Sequence, residues 1–229
     1  MRNLILSIQA AWEYGRELEA LGYDLCALPP DESLNRMVCT HADTCVFPWN
    51  GRLYGSGALV HVLSAPLLSR LVVIPDPPHG DYPDDVRLNA LFFGDCLYAY
   101  LPALSDTVRR LAEESGLELV NVRQGYTRCS VLALPHANRA VTADRGIADA
   151  MEARGVQVLR ISPDGILLNG IPYGFIGGAS FVDGERIIFY GRLNGHPDGD
   201  AIRTFCAESG CEVIELHGAL TDHGGAVVI

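Results

Sequence analysis

Glu113-Glu-Ser-Gly-Leu-Glu-Leu-Val-Asn-Val122 decides the fold, because the chain carries three close counterparts of it. They are Glu19-Ala-Leu-Gly-Tyr-Asp-Leu-Cys-Ala-Leu28, Glu152-Ala-Arg-Gly-Val-Gln-Val-Leu-Arg-Ile161 and Ala207-Glu-Ser-Gly-Cys-Glu-Val-Ile-Glu-Leu216. Each closes an amphipathic helix with a glycine, at Gly22, Gly116, Gly155 or Gly210. Glycine suits the residue after a helix because it takes the left-handed conformation without a Cβ clash. Each copy then continues as an alternating or apolar strand. Upstream, apolar residues at three- and four-residue intervals predict helices over residues 10–21, 106–115, 143–154 and 198–209.

The glycines lie 94, 39 and 55 residues apart. The long first interval has room for a fifth copy. Residues 58–68 followed by Leu71-Val-Val-Ile-Pro75 supply it, without the glycine and with Pro66 inside the helical pattern. Before most helices two strands flank a turn: residues 43–47 turn at Asn50-Gly51, 87–93 at Gly94-Asp95, 129–134 at His136-Ala-Asn138 and 179–182 at Asp183-Gly184. The remaining pair is split between Gly224-Gly-Ala-Val-Val-Ile229 and Asn3-Leu-Ile-Leu-Ser-Ile8. Pairing the termini closes the series. The expected fold is α/β, a ring of five ββαβ modules with pseudo-fivefold symmetry, in a single domain over residues 1–229; closure removes exposed sheet edges. A doubly wound open sheet also alternates strands and helices. Its nucleotide fingerprint is missing, since Gly55-Ser-Gly57 has no third glycine at the required place.

Composition narrows the chemistry. Hydrophobic residues make up 48% and charged residues 20%, a globular balance. The apolar runs are too short to cross a bilayer, and the N-terminus lacks the features of a signal peptide, so a cytoplasmic location is expected. All 17 basic residues are arginine. With no lysine, a Schiff-base enzyme and a P-loop nucleotide site are excluded. A net charge of −11 argues against nucleic acid and suits a small cationic ligand. Seven cysteines without a Cys-x-x-Cys pair give neither a disulfide framework nor a structural zinc site. Cys26, Cys96, Cys206 and Cys211 fall in apolar or helical patterns and read as buried small hydrophobes.

Several segments carry a family resemblance: Tyr82-Pro-Asp-Asp-Val-Arg-Leu-Asn89, Arg123-Gln-Gly-Tyr-Thr-Arg-Cys-Ser130, Thr142-Ala-Asp-Arg-Gly-Ile147, Tyr173-Gly-Phe-Ile-Gly-Gly-Ala-Ser180, His41-Ala-Asp43 and Leu220-Thr-Asp222. Together they resemble the motifs of the DUF6873 proteins over nearly the whole chain. That family is classed with the pentein, or guanidine-modifying, superfamily. The resemblance implies the five-module α/β propeller. It also points to the superfamily's activities, which are those of arginine and agmatine deiminases, dimethylarginine hydrolases and amidinotransferases. One superfamily member is a non-enzymatic ribosome-associated initiation factor, so a binding protein without the thiol chemistry is the alternative.

In a five-module ring the start of each first strand opens onto one face. His41 and Asp43, Asp85 and Asn89, Gln124 with Cys129-Ser130, Gly177-Gly178 with Ser180, and Asp222-His223 all fall at that place. Guanidine chemistry needs a thiolate, carboxylates for the planar cation and a proton carrier. The expected catalytic residues are Cys129 as nucleophile with His41 and Asp43. Asp85, Asn89, Gln124, Ser180 and Asp222 are expected to bind a small guanidino-like substrate. No cofactor or metal is expected, although His41, Asp43, Asp85 and Asp222 could together hold a divalent ion. Arg123 or Arg128 would lower the Cys129 pKa. Each residue also has a structural reading: Cys129 as core, His41, Asp43 and Asp85 as caps, Asp144 as an N-cap and Gly177-Gly178 as a tight bend. In deiminase-like members the nucleophile follows a glycine-rich turn late in the chain. The residue in that position here is Ala179.

Overall fold

The computed structural model describes residues 2–169 and 173–229. The chain runs β1 (Arg2–Ser7), α1 (Ile8–Ala20) and β2 (Tyr23–Leu28), then α2 (Ala42–Cys45), β3 (Val46–Trp49), β4 (Arg52–Gly55), α3 (Ala65–Leu68) and β5 (Leu71–Val73). It continues through β6 (Leu91–Phe93), β7 (Cys96–Ala99), α4 (Asp106–Glu114) and β8 (Glu118–Asn121), then β9 (Val131–Leu134), β10 (Arg139–Thr142), α5 (Arg145–Glu152) and β11 (Gln157–Arg160). The last elements are β12 (Ser180–Asp183), β13 (Arg186–Phe189), α6 (Gly199–Glu208), β14 (Glu212–Glu215) and β15 (Ala226–Val228). They form five three-stranded sheets, ordered β15-β1-β2, β3-β4-β5, β6-β7-β8, β9-β10-β11 and β12-β13-β14. In every sheet the middle strand pairs antiparallel with the first and parallel, across helical structure, with the third. We number these modules one to five from the sheet that contains β1.

Module one joins the two ends of the chain. Leu4, Ile5 and Leu6 oppose Val228, Val227 and Ala226, and Asn3 and Ile229 exchange backbone hydrogen bonds of 3.0 and 2.9 Å. Ile8 belongs to α1 and not to the strand, because the Ser7 hydroxyl accepts from Ala10 N at 3.1 Å and caps the helix there.

Five apolar clusters hold the modules together, and each draws on two neighbours. Leu4, Leu6 and Tyr14 of module one meet Ile188 and Tyr190 of module five. Ile5 and Val227 meet Val46 and Leu53 of module two. The clusters between modules two and three, three and four, and four and five complete the circuit. A module buries its apolar face only against its neighbours, which is the physical meaning of the repeat.

The joint glycines behave as the sequence predicts: Gly22, Gly116, Gly155 and Gly210 have φ of 95°, 71°, 79° and 79°. The module without a joint glycine departs from the pattern. Its predicted helix over 58–68 is broken into a 3-10 turn, Gly57–His61, and the one-turn α3, which follows its N-cap Ser64 and has Pro66 in its first turn. Asp43 also departs, lying in α2 and not in the strand that follows it.

Candidate active site

The chain enters each first strand through a tight turn, and the five turns present their side chains toward one another. The Cys129 thiol, on the turn before β9, donates to Asp43 Oδ2 at 2.6 Å. Asn89, before β6, fixes that thiol from the other side. Its Nδ2 donates to Cys129 Sγ at 3.2 Å, and its Oδ1 accepts from Arg128 N at 2.7 Å and Cys129 N at 3.2 Å. His41 completes the group: ligand-type atoms of His41, Asp43 and Cys129 all lie within 4.8 Å of one another. Three modules thus meet at one sulfur, and all four residues are buried.

The histidine occupies the N-cap position of α2, yet its side chain makes no capping bond. Its Nδ1 is buried without a hydrogen-bond partner among the described residues. Gly224 packs so closely on the histidine that a Cβ there would come within 2.3 Å of His41 Cβ and 2.4 Å of its ring Cγ. The backbone of Asp43 donates to Gly224 O at 3.1 Å, which leaves the carboxylate free for the thiol.

Asp222, before β15, accepts from Phe175 N and from Gly224 N, both at 2.9 Å. It lies against Gly178, where a Cβ would come within 2.0 Å of its carboxylate. At Gly177 a Cβ would come within 2.4 Å of Val131 O and 2.6 Å of Arg128 O. Both glycines lie in the turn over residues 176–179, as the sequence suggested. Neither has a positive φ, so it is the close approach of backbone and carboxylate within that turn that demands glycine.

The remaining predicted residues divide between this group and its surroundings. Asp85 is buried and takes its one side-chain bond from the Tyr126 hydroxyl at 2.6 Å, with Oδ1 unpartnered among the described residues. Ser180 lines a cavity of about 180 Å³ together with Asp43 and Arg128, although its hydroxyl donates to Ile176 O at 2.7 Å. Gln124 stands apart. It accepts from Tyr126 N at 3.1 Å and lines a second cavity beside Phe175. Asp144 is an N-cap, accepting from Ile147 N at 2.8 Å.

Burial sets the electrostatics. It pushes Asp43 up to about 6, against the pull of His41, with Asp222 adding to the rise. Asp222 itself is pushed up to about 6 by burial. Burial also holds His41 below its ordinary range, and with His41 it pushes His223 down to about 4. Burial raises the Cys129 thiol well above its usual value, and the charges of Asp43 and Asp222 raise it further. Arg128 is near enough to act on the charge of Cys129, but burial and the two carboxylates outweigh it in the resting state. Arg123 is exposed. Arg128 is turned inward, its guanidinium donating to Val46 O at 3.0 Å and Ala226 O at 3.4 Å and bearing electrostatically on Asp43. Cys129 rests as a protonated thiol whose proton already points at a base.

Sequence reasoning missed Tyr126 as the partner of Asp85, although it sits inside the motif quoted around Cys129. It also missed Trp12, an aromatic residue left exposed on α1, for which the only signal was a large apolar side chain off the helix's buried face.

A five-module ring of ββαβ units with its polar residues gathered at the starts of the first strands defines a pentein, the guanidine-modifying enzyme fold. The profile of DUF6873, a family of unknown function, matches residues 5–227, and the chain belongs to that family. No curated protein matches it. Among solved structures, a Pseudomonas aeruginosa DDAH, a cysteine-to-serine mutant complexed with citrulline, is similar at a TM-score of 0.64 and 14% identity, over 100% of this chain and 99% of that one. A C. jejuni agmatine deiminase with substrate bound aligns at 0.53 and 10%, over 99% and 92%. ArgZ, a cyanobacterial arginine dihydrolase, aligns at 0.56 and 14%, over 94% of this chain and 36% of that one. At these identities the likeness is one of fold. No helix among the described residues is long and apolar enough to cross a membrane.

Proposed function

We propose that this protein is a thiol-dependent hydrolase or amidinotransferase acting on the guanidinium carbon of a small cationic substrate. The observation that carries this reading is the 2.6 Å contact between the Cys129 thiol and Asp43 Oδ2, with His41 in the same buried cluster. A carboxylate whose pKa is about 6 is ionised at neutral pH and can take the thiol proton. The thiol stays protonated until a cation arrives, and the positive charge of the substrate then favours the thiolate. Asp222 and Asp43 bear on that cation from two modules. The planar guanidinium matches such carboxylates in shape as well as charge.

In the hydrolytic form, Cys129 Sγ bonds to the central carbon and Asp43 takes its proton. His41, held neutral by burial, relays that proton from Asp43 to the departing nitrogen, which leaves as ammonia or an amine. Water then adds to the carbon, the S–C bond breaks, the thiol recovers its proton, and the product is a urea. Asn89 orients the sulfur throughout by its bond to Sγ and its two bonds from the turn.

A haloacetamidine, which presents a planar cation beside an alkylating carbon, tests this directly. It should label Cys129 faster than neutral iodoacetamide does, and ammonia or amine release from guanidines should vanish in Cys129→Ala. Labelling no faster than that of an ordinary free thiol, or release that survives Cys129→Ala, overturns the assignment.

A further inference from the structure

Beside Asp222 and His223 opens a cavity of about 520 Å³, the most spacious of those around the strand-entry turns. Its walls include Ile8, Trp12 and Glu13 from the start of α1, and Leu167. Asp222 and His223 link it to the Cys129 group by contact: Asp222 packs on Gly178, whose N–H donates to Cys129 O at 2.9 Å, and Gly224, next to His223, packs on His41.

Three features of these walls point to a ligand. His223 is 8% exposed, and its Nε2 is buried without a hydrogen-bond partner among the described residues. That nitrogen lies 3.6 Å from Glu13 Oε2 on the same wall. The indole of Trp12 is 89% exposed beside them. Because burial holds His223 neutral at physiological pH, Nε2 in the appropriate tautomer is an acceptor. An imidazole nitrogen and a carboxylate oxygen this far apart can share one ammonium group, which brings three donors. An aromatic face adds cation–π attraction for the same charge. No arginine among the described residues lines the cavity, and the chain has no lysine. The start of α1 offers little to an anion, because Ser7 Oγ already takes the Ala10 N–H and Glu13 follows within the second turn.

We infer that this cavity holds the far end of the substrate, and that this end is an alkyl chain bearing an ammonium group and no carboxylate. The inference rests on the guanidine reading of the Cys129 site and narrows it to aminoalkylguanidines, as opposed to guanidino acids. The alkyl chain lies over Trp12 and Ile8 while the ammonium bridges Glu13 and His223.

Three matched sets of ligands, each spanning three to five methylenes, separate the possibilities: ω-aminoalkylguanidines, plain alkylguanidines and ω-guanidinoalkanoates. Calorimetric titration of the full chain should rank them in that order, with the ammonium worth about tenfold in affinity over the neutral tail at the best length. Glu13→Gln should reduce that advantage to about twofold, and Trp12→Ala should weaken the aminoalkylguanidines about two- to fivefold. Equal affinities for all three tails, or tightest binding of the carboxylates, would overturn the inference while leaving guanidine chemistry at Cys129 standing. If no guanidine of any set binds or releases ammonia, the proposed function fails and takes this inference with it.

Discussion

The turn that leads into β9 and the turn that leads into β12 share a backbone and differ in chemistry. In the first, Ser130 Oγ donates to Tyr126 O at 2.7 Å; in the second, Ser180 Oγ donates to Ile176 O at 2.7 Å. Both turns close with a backbone bond back across four residues, 3.0 Å from Ser130 N to Tyr126 O and 2.9 Å from Ala179 N to Phe175 O. They interlock through Gly178 N, which donates to Cys129 O at 2.9 Å. The residue before the serine is Cys129 in module four and Ala179 in module five. The repeated fold thus makes matching sockets in these two modules, and on the proposed function reactivity depends on which socket holds sulfur and what faces it. Asp43 and Asn89 face Cys129; Asp222, packed on Gly178, faces the socket of module five.

The largest expected effect comes from moving the thiol between sockets. In the Cys129→Ala protein, which should lose turnover by about 10³-fold or more, adding Ala179→Cys should restore none of it. The transplanted sulfur lacks Asn89, whose bonds go to the turn of module four. Recovery of ammonia release in that double variant would mean that the sockets are interchangeable and that Asn89 does not matter.

Asp43→Asn separates catalysis from stability. Asp43 titrates near 6 in the folded protein and near 3.9 when unfolded. The folded state therefore binds the proton more tightly, and stability attached to this group is full below about pH 4 and lost as pH rises through about 6. The near-isosteric amide removes that loss, so at pH 7 the variant should be more stable by up to about 3 kcal/mol while turnover collapses. Thermal melts at pH 4 and pH 7 check this. A variant less stable than the parent at pH 7 would show that the charge of Asp43 supports the fold.

The smallest of the three effects tests the seam between the sockets. Gly178→Ala would force a Cβ onto the Asp222 carboxylate, and overpacking of this kind costs about 1–3 kcal/mol. The melting temperature should fall by about 2–4 °C for each kcal/mol. An unchanged melt would mean that Asp222 moves freely, and that the two turns are not held in one arrangement.

The fold was legible because its signals are local. A glycine after each of four helices, an Asn50-Gly51 hairpin and apolar runs at both ends each report on a few neighbouring residues, and the ring follows from their repetition. The broken helix over 57–68 was signalled by Pro66 and by the missing glycine, but not where the break would fall. The gathering of Cys129, Asp43, Asn89 and Asp222 was legible as a consequence of symmetry. Their pairing was not. Which oxygen reaches the sulfur, that Asn89 holds it from behind and that Arg128 turns inward depend on sub-ångström packing between modules far apart in sequence. The glycine pair at 177–178 marked the turn, but not the close approach of Asp222 and of neighbouring backbone that leaves no room for a Cβ there.

Arg128 has a consequence of its own. Its guanidinium lies partly buried near Asp43 and the sulfur, tied to Val46 O on one module and to Ala226 O on another. On the proposed function, a site that takes a guanidinium already carries one as a permanent tenant, tethered by its bonds to two other modules. Any visitor is measured against that tenant. It gains entry by contacts the tenant cannot make, at Asp222 and beyond, so discrimination among cations begins with a residue that never leaves.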